Sequence, residues 1–449
     1  MRILLVRPKP HKDTIGLQSI MICEPLELEY LAAAVKGKHQ VALVDMILEK
    51  RSLAFFIREY QPEVVALTAY ISQVNIIKEY AEVIKKINPL IKIIVGGVHA
   101  EVVAEDFIDK NIDFIVTGNG IQVLSELVDA IEQGVYKEQK STLFLGEKAE
   151  NVPNIHPDRR ITERYRSSYY YVFHNPCALV KTSYGCPYTC SFCFCRQVTG
   201  DKYYERDIAD VIEEIKGIKE PEIYIVDDNF LYSKKRVEKF CDLLEQEGIN
   251  KRFLIYGRAD FIAQNESTIE RFANMGLRAV IVGLETAKEE ELELYNKKSS
   301  KAVNEKAIEV LAKYNVDCYG TFILGIDWDA EDFDYLYKWL KKWDLQFINL
   351  QPFTPLPGTP LYDQYKEQLI IPREKYEQWD LANLVVKPSK ISIRSYYYNI
   401  LKIYFKLTLK PRSLKKNMKY GLLANVKLSL GVSRIIWQYI KKIIENGQV

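Results

Sequence analysis

Twice along its length this chain alternates short apolar runs with helical stretches, and that alternation restricts it to folds built on parallel sheets. In the first series, residues 3–6, 41–44, 64–68, 91–95 and 113–116 read as strands. Residues 25–35 read as a helix, and Leu53, Phe56, Ile57 and Tyr60 recur at helical spacing. Further helices are expected over 101–109 and 121–132. Five such βα steps predict a doubly wound, Rossmann-like parallel sheet over residues 1–135. Ligands of such sheets sit at the carboxyl ends of the strands, where Thr68, Ser72, Gly96, Gly97 and Gly118 fall.

A polar stretch over 136–168, with Pro153 and Pro157, reads as a linker. The second series has strand candidates at 178–182, 222–226, 253–256, 278–282, 317–322 and 346–350. Helical runs over 208–218, 234–247 and 301–314 separate them. Six units predict a partial or complete (β/α) barrel of the TIM type over 169–365, with its chemistry at the carboxyl ends of the strands. Residues 366–449 form a helical, basic carboxyl-terminal region.

The charge is unevenly spread. From Lys390 onward thirteen lysines and arginines face a single acid, Glu445, whereas the whole 449-residue chain carries only +2. A basic appendage therefore joins an acidic body. Lys402, Lys406 and Lys410 share a helical face before Pro411, and Ile436, Ile440, Ile443 and Ile444 recur beside Trp437, Lys441 and Lys442. One reading is a lysine-rich surface for anionic lipid or a lipid-like substrate, the other a helical subdomain packed on the barrel. No RNA-binding module is recognisable, so no specific nucleic acid partner is expected. No apolar run is long enough to span a bilayer and the amino terminus reads as a strand, so a cytoplasmic location is expected, with peripheral membrane contact through the basic region.

Of eight cysteines, four crowd into positions 186–195, immediately after the first strand of the second series. Cys186, Cys190 and Cys193 stand as C-P-Y-T-C-S-F-C. Three thiolates on one short loop can wrap a corner of an iron–sulfur cluster, and since four-iron clusters usually take four, one iron would stay open. A structural zinc site would need a second Cys or His pair, and His174 and Cys177 reach it only by folding back. Cys195 reads as a packed thiol rather than a fourth ligand, and Cys23, Cys241 and Cys318 as core residues.

The stretch Y-G-C-P-Y-T-C-S-F-C resembles the signature of radical S-adenosylmethionine (SAM) enzymes, with Phe192 before the third cysteine. The resemblance runs over about residues 170–365. It extends to the strand ends Asp227-Asp228-Asn229-Phe230, Gly257-Arg258-Ala259-Asp260 and Gly283-Leu284-Glu285, and to Thr354-Pro355-Leu356-Pro357-Gly358-Thr359-Pro360. It implies a 4Fe–4S cluster on Cys186, Cys190 and Cys193 whose open iron is chelated by SAM. One electron, from a donor such as flavodoxin or ferredoxin, then yields a 5′-deoxyadenosyl radical. Phe192, Asp227, Asp228, Arg258 and Glu285 are the expected cofactor contacts: Asp227 and Asp228 for an ammonium or ribose, Arg258 for a carboxylate, and Glu285 for sugar hydroxyls or a substrate group.

Residues 1–135 resemble the cobalamin-binding domain of one branch of that family, through P-E-V-V-A-L-T at 62–68, V-G-G-V-H-A at 95–100 and D-F-I-V-T-G at 113–118. The Asp-x-His-x-x-Gly pattern that supplies histidine to cobalt is absent at 45–49, and His99 reads as a loop residue. The usual Gly-Glu-Gly-Glu is here Gly118-Asn119-Gly120-Ile121. The resemblance implies an oxygen-sensitive, anaerobic enzyme that methylates an unactivated carbon of a small-molecule or lipid-like substrate. The alternatives are an oxidative cyclase of the anaerobic porphyrin type and a non-catalytic cobalamin or redox sensor.

Overall fold

Along each strand of the first series apolar side chains alternate between two covered faces. Leu4 and Val6 join one core and Ile3 and Leu5 the other. The computed structural model describes residues 1–136, 143–147, 155–200, 202–345, 347–408 and 418–446. Expectations placed on Pro153, Lys410, Pro411, Arg412, Lys415 and Lys416 lie outside the described residues. The first sheet is wholly parallel, in the spatial order Gln40–Asp45, Arg2–Arg7, Val64–Thr68, Lys92–Gly96, Phe114–Val116 and Leu143–Leu145.

Its sixth strand, Leu143–Leu145, pairs Phe114 with Leu143 inside the stretch read as a linker. Three residues are too few to show a period in sequence. The helix expected over 101–109 is instead a helix at Val98–Val102 and a 3-10 turn at Ala104–Phe107. Gly97, at φ 103°, starts the helix early, and Val103, at φ −143°, breaks it.

The second sheet is also parallel and runs in chain order: Cys177–Val180, Glu222–Ile225, Arg252–Gly257, Leu277–Glu285, Asp317–Leu324 and Phe347–Pro352. Its outermost strands do not pair with each other, so the barrel is partial. Alternation again sorts the residues. Ala178, Val180, Ile223, Ile225, Phe253 and Ile255 pack under the surrounding helices. Cys177, Leu179, Tyr224, Leu254, Ile281 and Tyr319 face inward, where they meet Leu26 and Tyr30 of the first domain's helix Leu26–Val35. Ser233 and Ser300 cap the helices Lys234–Gln246 and Lys301–Lys313 through the amides of Arg236 and Val303.

Residues expected in the linker also weld the two sheets together. A ten-residue 3-10 helix, Arg159–Ser168, inserts between them. Arg159 donates to Glu24 (2.5 Å), to Glu214 (2.6 Å) and to the Leu179 carbonyl (2.7 Å). Arg166 donates to Glu24 (2.8 Å) and Glu220 (2.5 Å), and Arg206 to Glu214 (2.6 Å). Thr162 donates to Glu29 at 2.5 Å. Glu24 and Glu29 belong to the first domain, and Glu214 and Glu220 to the barrel. Four buried carboxyl groups thus share three guanidinium groups. Burial, and then the charge of Glu24, push the Glu29 carboxyl up to about 8.

In the basic region the helix Ile393–Thr408 buries Tyr396, Tyr397, Ile400, Ile403 and Leu407 against the barrel. Tyr396 donates to the Leu324 carbonyl at 2.7 Å. The packing reading therefore holds for this helix. The helix Leu422–Glu445 lies along it, with Tyr439 buried near Tyr397. In the two Tyr-Tyr-Tyr runs at 169–171 and 396–398, Tyr169, Tyr170, Tyr396 and Tyr397 are buried, Tyr171 is half-buried and Tyr398 is exposed. Among the described residues no helix is long and apolar enough to cross a membrane.

A carboxyl whose folded-state pKa is raised stabilises the fold at low pH and loses that contribution as pH climbs through the raised value. For Glu29 the loss begins near the ordinary carboxylate value, about 4.3, and is complete once pH has passed about 8. The unfolding free energy of the wild type, from urea titrations, is expected to fall between about pH 5 and pH 8, by up to about 1.4 kcal/mol per pH unit, and to level off above. Glu29→Gln should flatten that fall; an unchanged slope would assign the loss elsewhere.

Candidate active site between the two sheets

The cysteine loop leaves the barrel through the short pair Ser183–Tyr184 and Tyr204–Glu205, which registers Ser183 with Glu205 and Tyr184 with Tyr204. That pair closes the base of the loop. Gly185 sits there at φ 83°, where a Cβ would lie 2.2 Å from the Lys202 carbonyl oxygen, so only glycine fits. Within the loop the Cys193 amide donates to the Cys190 carbonyl (3.2 Å), and the Cys195 amide to the Cys193 sulfur (3.5 Å). The loop is braced from outside by Asn296, which donates to the Thr189 carbonyl at 2.8 Å, and by the Ser191 amide on the Tyr295 carbonyl at 3.1 Å.

Cys186, Cys190 and Cys193 are half-buried and free of disulfides, while Cys195 and Cys241 are buried. Burial raises the Cys186 thiol and pushes Cys193 up to about 12. Burial likewise raises Cys23, to about 11. Among the described residues no three His, Cys, Asp or Glu side chains converge on one point, as the ligands of a single ion would.

The acidic and basic residues at the barrel mouth are engaged with one another in ways the sequence did not reveal. Asp227 is buried and accepts from the Thr182 amide (2.6 Å), the Thr182 hydroxyl (2.5 Å) and the Ser183 hydroxyl (2.7 Å). It clamps the start of the cysteine loop instead of awaiting an ammonium or ribose. Asp228 is the exposed neighbour, 3.2 Å from Lys181 and 3.1 Å from the Gly185 amide. Arg258 was expected to grip a carboxylate of a ligand, yet its fork is taken by Asp260 (Nε 3.1 Å, Nη2 3.1 Å) and the Lys297 carbonyl (2.7 Å). Its other arm reaches toward the Cys190 sulfur, 3.9 Å away, and its face lies 3.6 Å from the Tyr188 ring centroid.

Glu285, at φ 60°, pairs with Lys297 at 2.6 Å rather than presenting a free carboxylate. Phe192 packs edge-on against Tyr295 and near Lys297. Asn229, at the end of the same strand as Asp227, is buried with neither amide atom partnered. Lys181, Tyr188, Asn229, Asp260 and Lys297 were all missed by sequence reasoning. Asn229, Asp260 and Tyr188 had a signal, because each stands inside a motif already singled out, whereas Lys181 and Lys297 had none.

Opposite the cysteine loop lies the carboxyl edge of the first sheet, and a cavity of about 280 Å³ separates the two. Glu27, Thr68, Gly96, Gly97 and Asn119 line one side, and Tyr184, Thr199 and Tyr204 the other. The turn containing Gly358 closes against the loop, where Gln197 donates to its carbonyl at 2.7 Å. Thr68 points its hydroxyl at Glu27 (3.3 Å), whose carboxyl burial raises. Gly97 is fixed by close approach, because a Cβ would stand 2.7 Å from the Ala69 nitrogen. Ser72, on the 3-10 turn Ile71–Gln73, and Gly118, packed against Gly146, lie outside the cavity wall. His99 is not a loop residue: it sits in the helix Val98–Val102, buried and 2.8 Å from Asp106. Asp45 is held by Arg7 at 3.2 Å.

Residues 14–128 match the B12 binding domain family, and residues 180–340 match the radical SAM superfamily. The chain belongs to the B12-binding radical SAM enzymes. It is 27% identical to the hopanoid C-3 methylase of Methylococcus capsulatus, over 90% of this chain and 79% of that protein. It is 26% identical to the anaerobic magnesium-protoporphyrin IX monomethyl ester cyclase of Cereibacter sphaeroides, over 87% of this chain and 68% of that one. The radical SAM methyltransferase TsrM of Kitasatospora setae, solved with tryptophan and a SAM analog, shares the fold. Its TM-score is 0.68 at 16% identity, over 92% of this chain and 89% of TsrM. The cofactors of this radical SAM enzyme are a 4Fe–4S cluster, SAM and cobalamin.

Gly97→Ala should force the backbone of Ala69 to move and cut retained cobalamin at least about tenfold, with iron content unchanged. Absorbance and metal counting after desalting check this. Full cobalt retention would show that Gly97 does not shape the cobalamin site.

Proposed function

We propose that this chain is a cobalamin-dependent C-methyltransferase acting on a lipid-like or other small-molecule substrate. One observation carries the reading: the strand ends of the B12-binding domain and the flanks of the cysteine loop line one cavity. When bound, the cluster and SAM would supply a 5′-deoxyadenosyl radical, and cobalamin a transferable methyl group.

In this reading Cys186, Cys190 and Cys193 hold the cluster, and Arg258 and Phe192 brace its surroundings. Asp228, with Lys181 beside it, offers polar contacts to SAM. Asp227 and Glu285 position loop and strand through Thr182 and Lys297. Thr68, Gly96 and Gly97 receive the cobalamin tail, with Ser72 and Gly118 supporting the same strand ends. Inside the barrel, half-buried Tyr171, exposed Tyr256 and buried Tyr224 and Tyr319 form a largely aromatic lining suited to an apolar ring system. The relative that methylates hopanoid favours a polycyclic lipid. A reduced donor such as flavodoxin or ferredoxin delivers the electron in an anaerobic cytoplasm, and a lipid-like substrate brings the enzyme to the inner membrane face.

The cyclase relative supports a second reading, radical oxidation or ring closure without methyl transfer. The two differ in products. Methyl transfer should release S-adenosylhomocysteine along with 5′-deoxyadenosine and raise substrate mass by one methylene unit. Turnover without S-adenosylhomocysteine would favour the cyclase-type reaction, and no turnover the sensor. Cys190→Ala should abolish both cluster absorbance and SAM cleavage. Retained cleavage would contradict the assignment of the cluster loop.

A further inference from the structure

We propose that the helix Leu422–Glu445 lays its outer face on an anionic lipid surface. At 1.5 Å per residue its 24 residues extend about 36 Å. One face is already committed to the protein. Gly431 and Tyr439 are buried, and Ile435, Ile436, Ile440 and Ile443 pack against the barrel core. Ser19 donates to the Gly431 carbonyl at 3.0 Å, and Gln438 to the Thr14 carbonyl at 3.3 Å. The helix is therefore fixed in rotation, and its other face must look outward.

That outward face is apolar. Leu423 (86% exposed), Leu430 (61%), Trp437 (66%) and Ile444 (57%) stand seven residues apart and fall on one line, with Leu422 and Val426 beside it. Six of the seventeen large exposed apolar side chains among the described residues stand on this one helix. Such concentration marks an interaction surface, whereas scattered exposed apolar residues do not.

The flanking charge chooses the occupant. Lys427, Arg434 and Lys441 are also seven apart and form an exposed basic row along one border of the stripe. Lys427 lies 3.8 Å over the Tyr170 ring, and Lys441 pairs with Glu445 at 3.6 Å. The other border carries Ser429 and Ser433. A second copy of the helix could bury the stripe, but Glu445 is the only acid available to answer its basic row. Anionic headgroups answer that row, and the acyl boundary accepts leucine and tryptophan. The helix does not span a bilayer, so the contact is peripheral. This deepens the methyl-transfer reading by placing the enzyme where a lipid-like substrate resides.

The test is co-sedimentation of the full-length, reconstituted protein with phosphatidylcholine vesicles, with and without phosphatidylglycerol. Anionic vesicles should bind at least about tenfold more tightly than neutral ones, with binding weakened by salt. L430S/W437S and K427E/R434E should each lose about tenfold or more, with circular dichroism and iron content unchanged. Binding that survives both variants, or no binding by the wild type, would overturn the proposal. So would a lipid-free dimer that L430S/W437S converts to monomer, because a second copy would then be the occupant. S-adenosylhomocysteine formation with a detergent-dispersed hopanoid as the probe, measured on the same samples, reads the methyl-transfer assignment separately.

Discussion

The cavity between the two sheets exists because a buried ionic junction holds those sheets in place. Arg159 reaches Glu24 in the first domain and both Glu214 and the Leu179 carbonyl in the barrel, and Arg166 repeats the bridge through Glu24 and Glu220. Removing one partner from a buried pair typically costs about 3–5 kcal/mol, because the other charge is left without compensation. That is a large part of the whole stability of an ordinary domain. A junction of this kind tolerates little rotation. It keeps the carboxyl edge of the first sheet opposed to the cysteine loop, and both sides contribute to one cavity wall.

The same principle recurs at the barrel mouth. Asp227, Arg258 and Glu285 each spend their hydrogen-bonding capacity on the protein: on Thr182 and Ser183, on Asp260 and the Lys297 carbonyl, and on the Lys297 ammonium. Buried charges require such partners. The consequence is preorganisation, since the loop bearing the thiols is anchored at its base, its crown and its exit before any cofactor arrives. Polar groups with capacity left for a ligand are fewer: Glu27 on the cavity wall, exposed Asp228 beside the Gly185 amide, and the buried, unpartnered amide of Asn229.

Much of this was legible in the sequence, for physical reasons. Strand runs such as those around Ile3, Val64, Ile223 and Val280 are apolar throughout because parallel sheets are covered on both faces. The three thiols announce themselves because a cluster loop must be local. What escaped was nonlocal. Glu24 and Arg159 are 135 positions apart, and nothing near either predicts the pairing. Lys297 meets Glu285 and Arg258 only after the strand Leu277–Glu285 ends and the chain turns back. Leu143–Leu145 is too short to read as a strand, and its place at the sheet edge comes from the register with Phe114. The helix Leu422–Glu445 was legible as amphipathic, but only its packing shows which side is spent on the barrel and which remains outside.

The most direct test of a shared chamber is electron paramagnetic resonance of anaerobically reconstituted protein holding both cob(II)alamin and the reduced cluster. Two paramagnetic centres facing one cavity should broaden each other's lines and quicken each other's relaxation. A spectrum equal to the sum of the two centres measured singly would place them too far apart to share a substrate and would contradict the architecture described above.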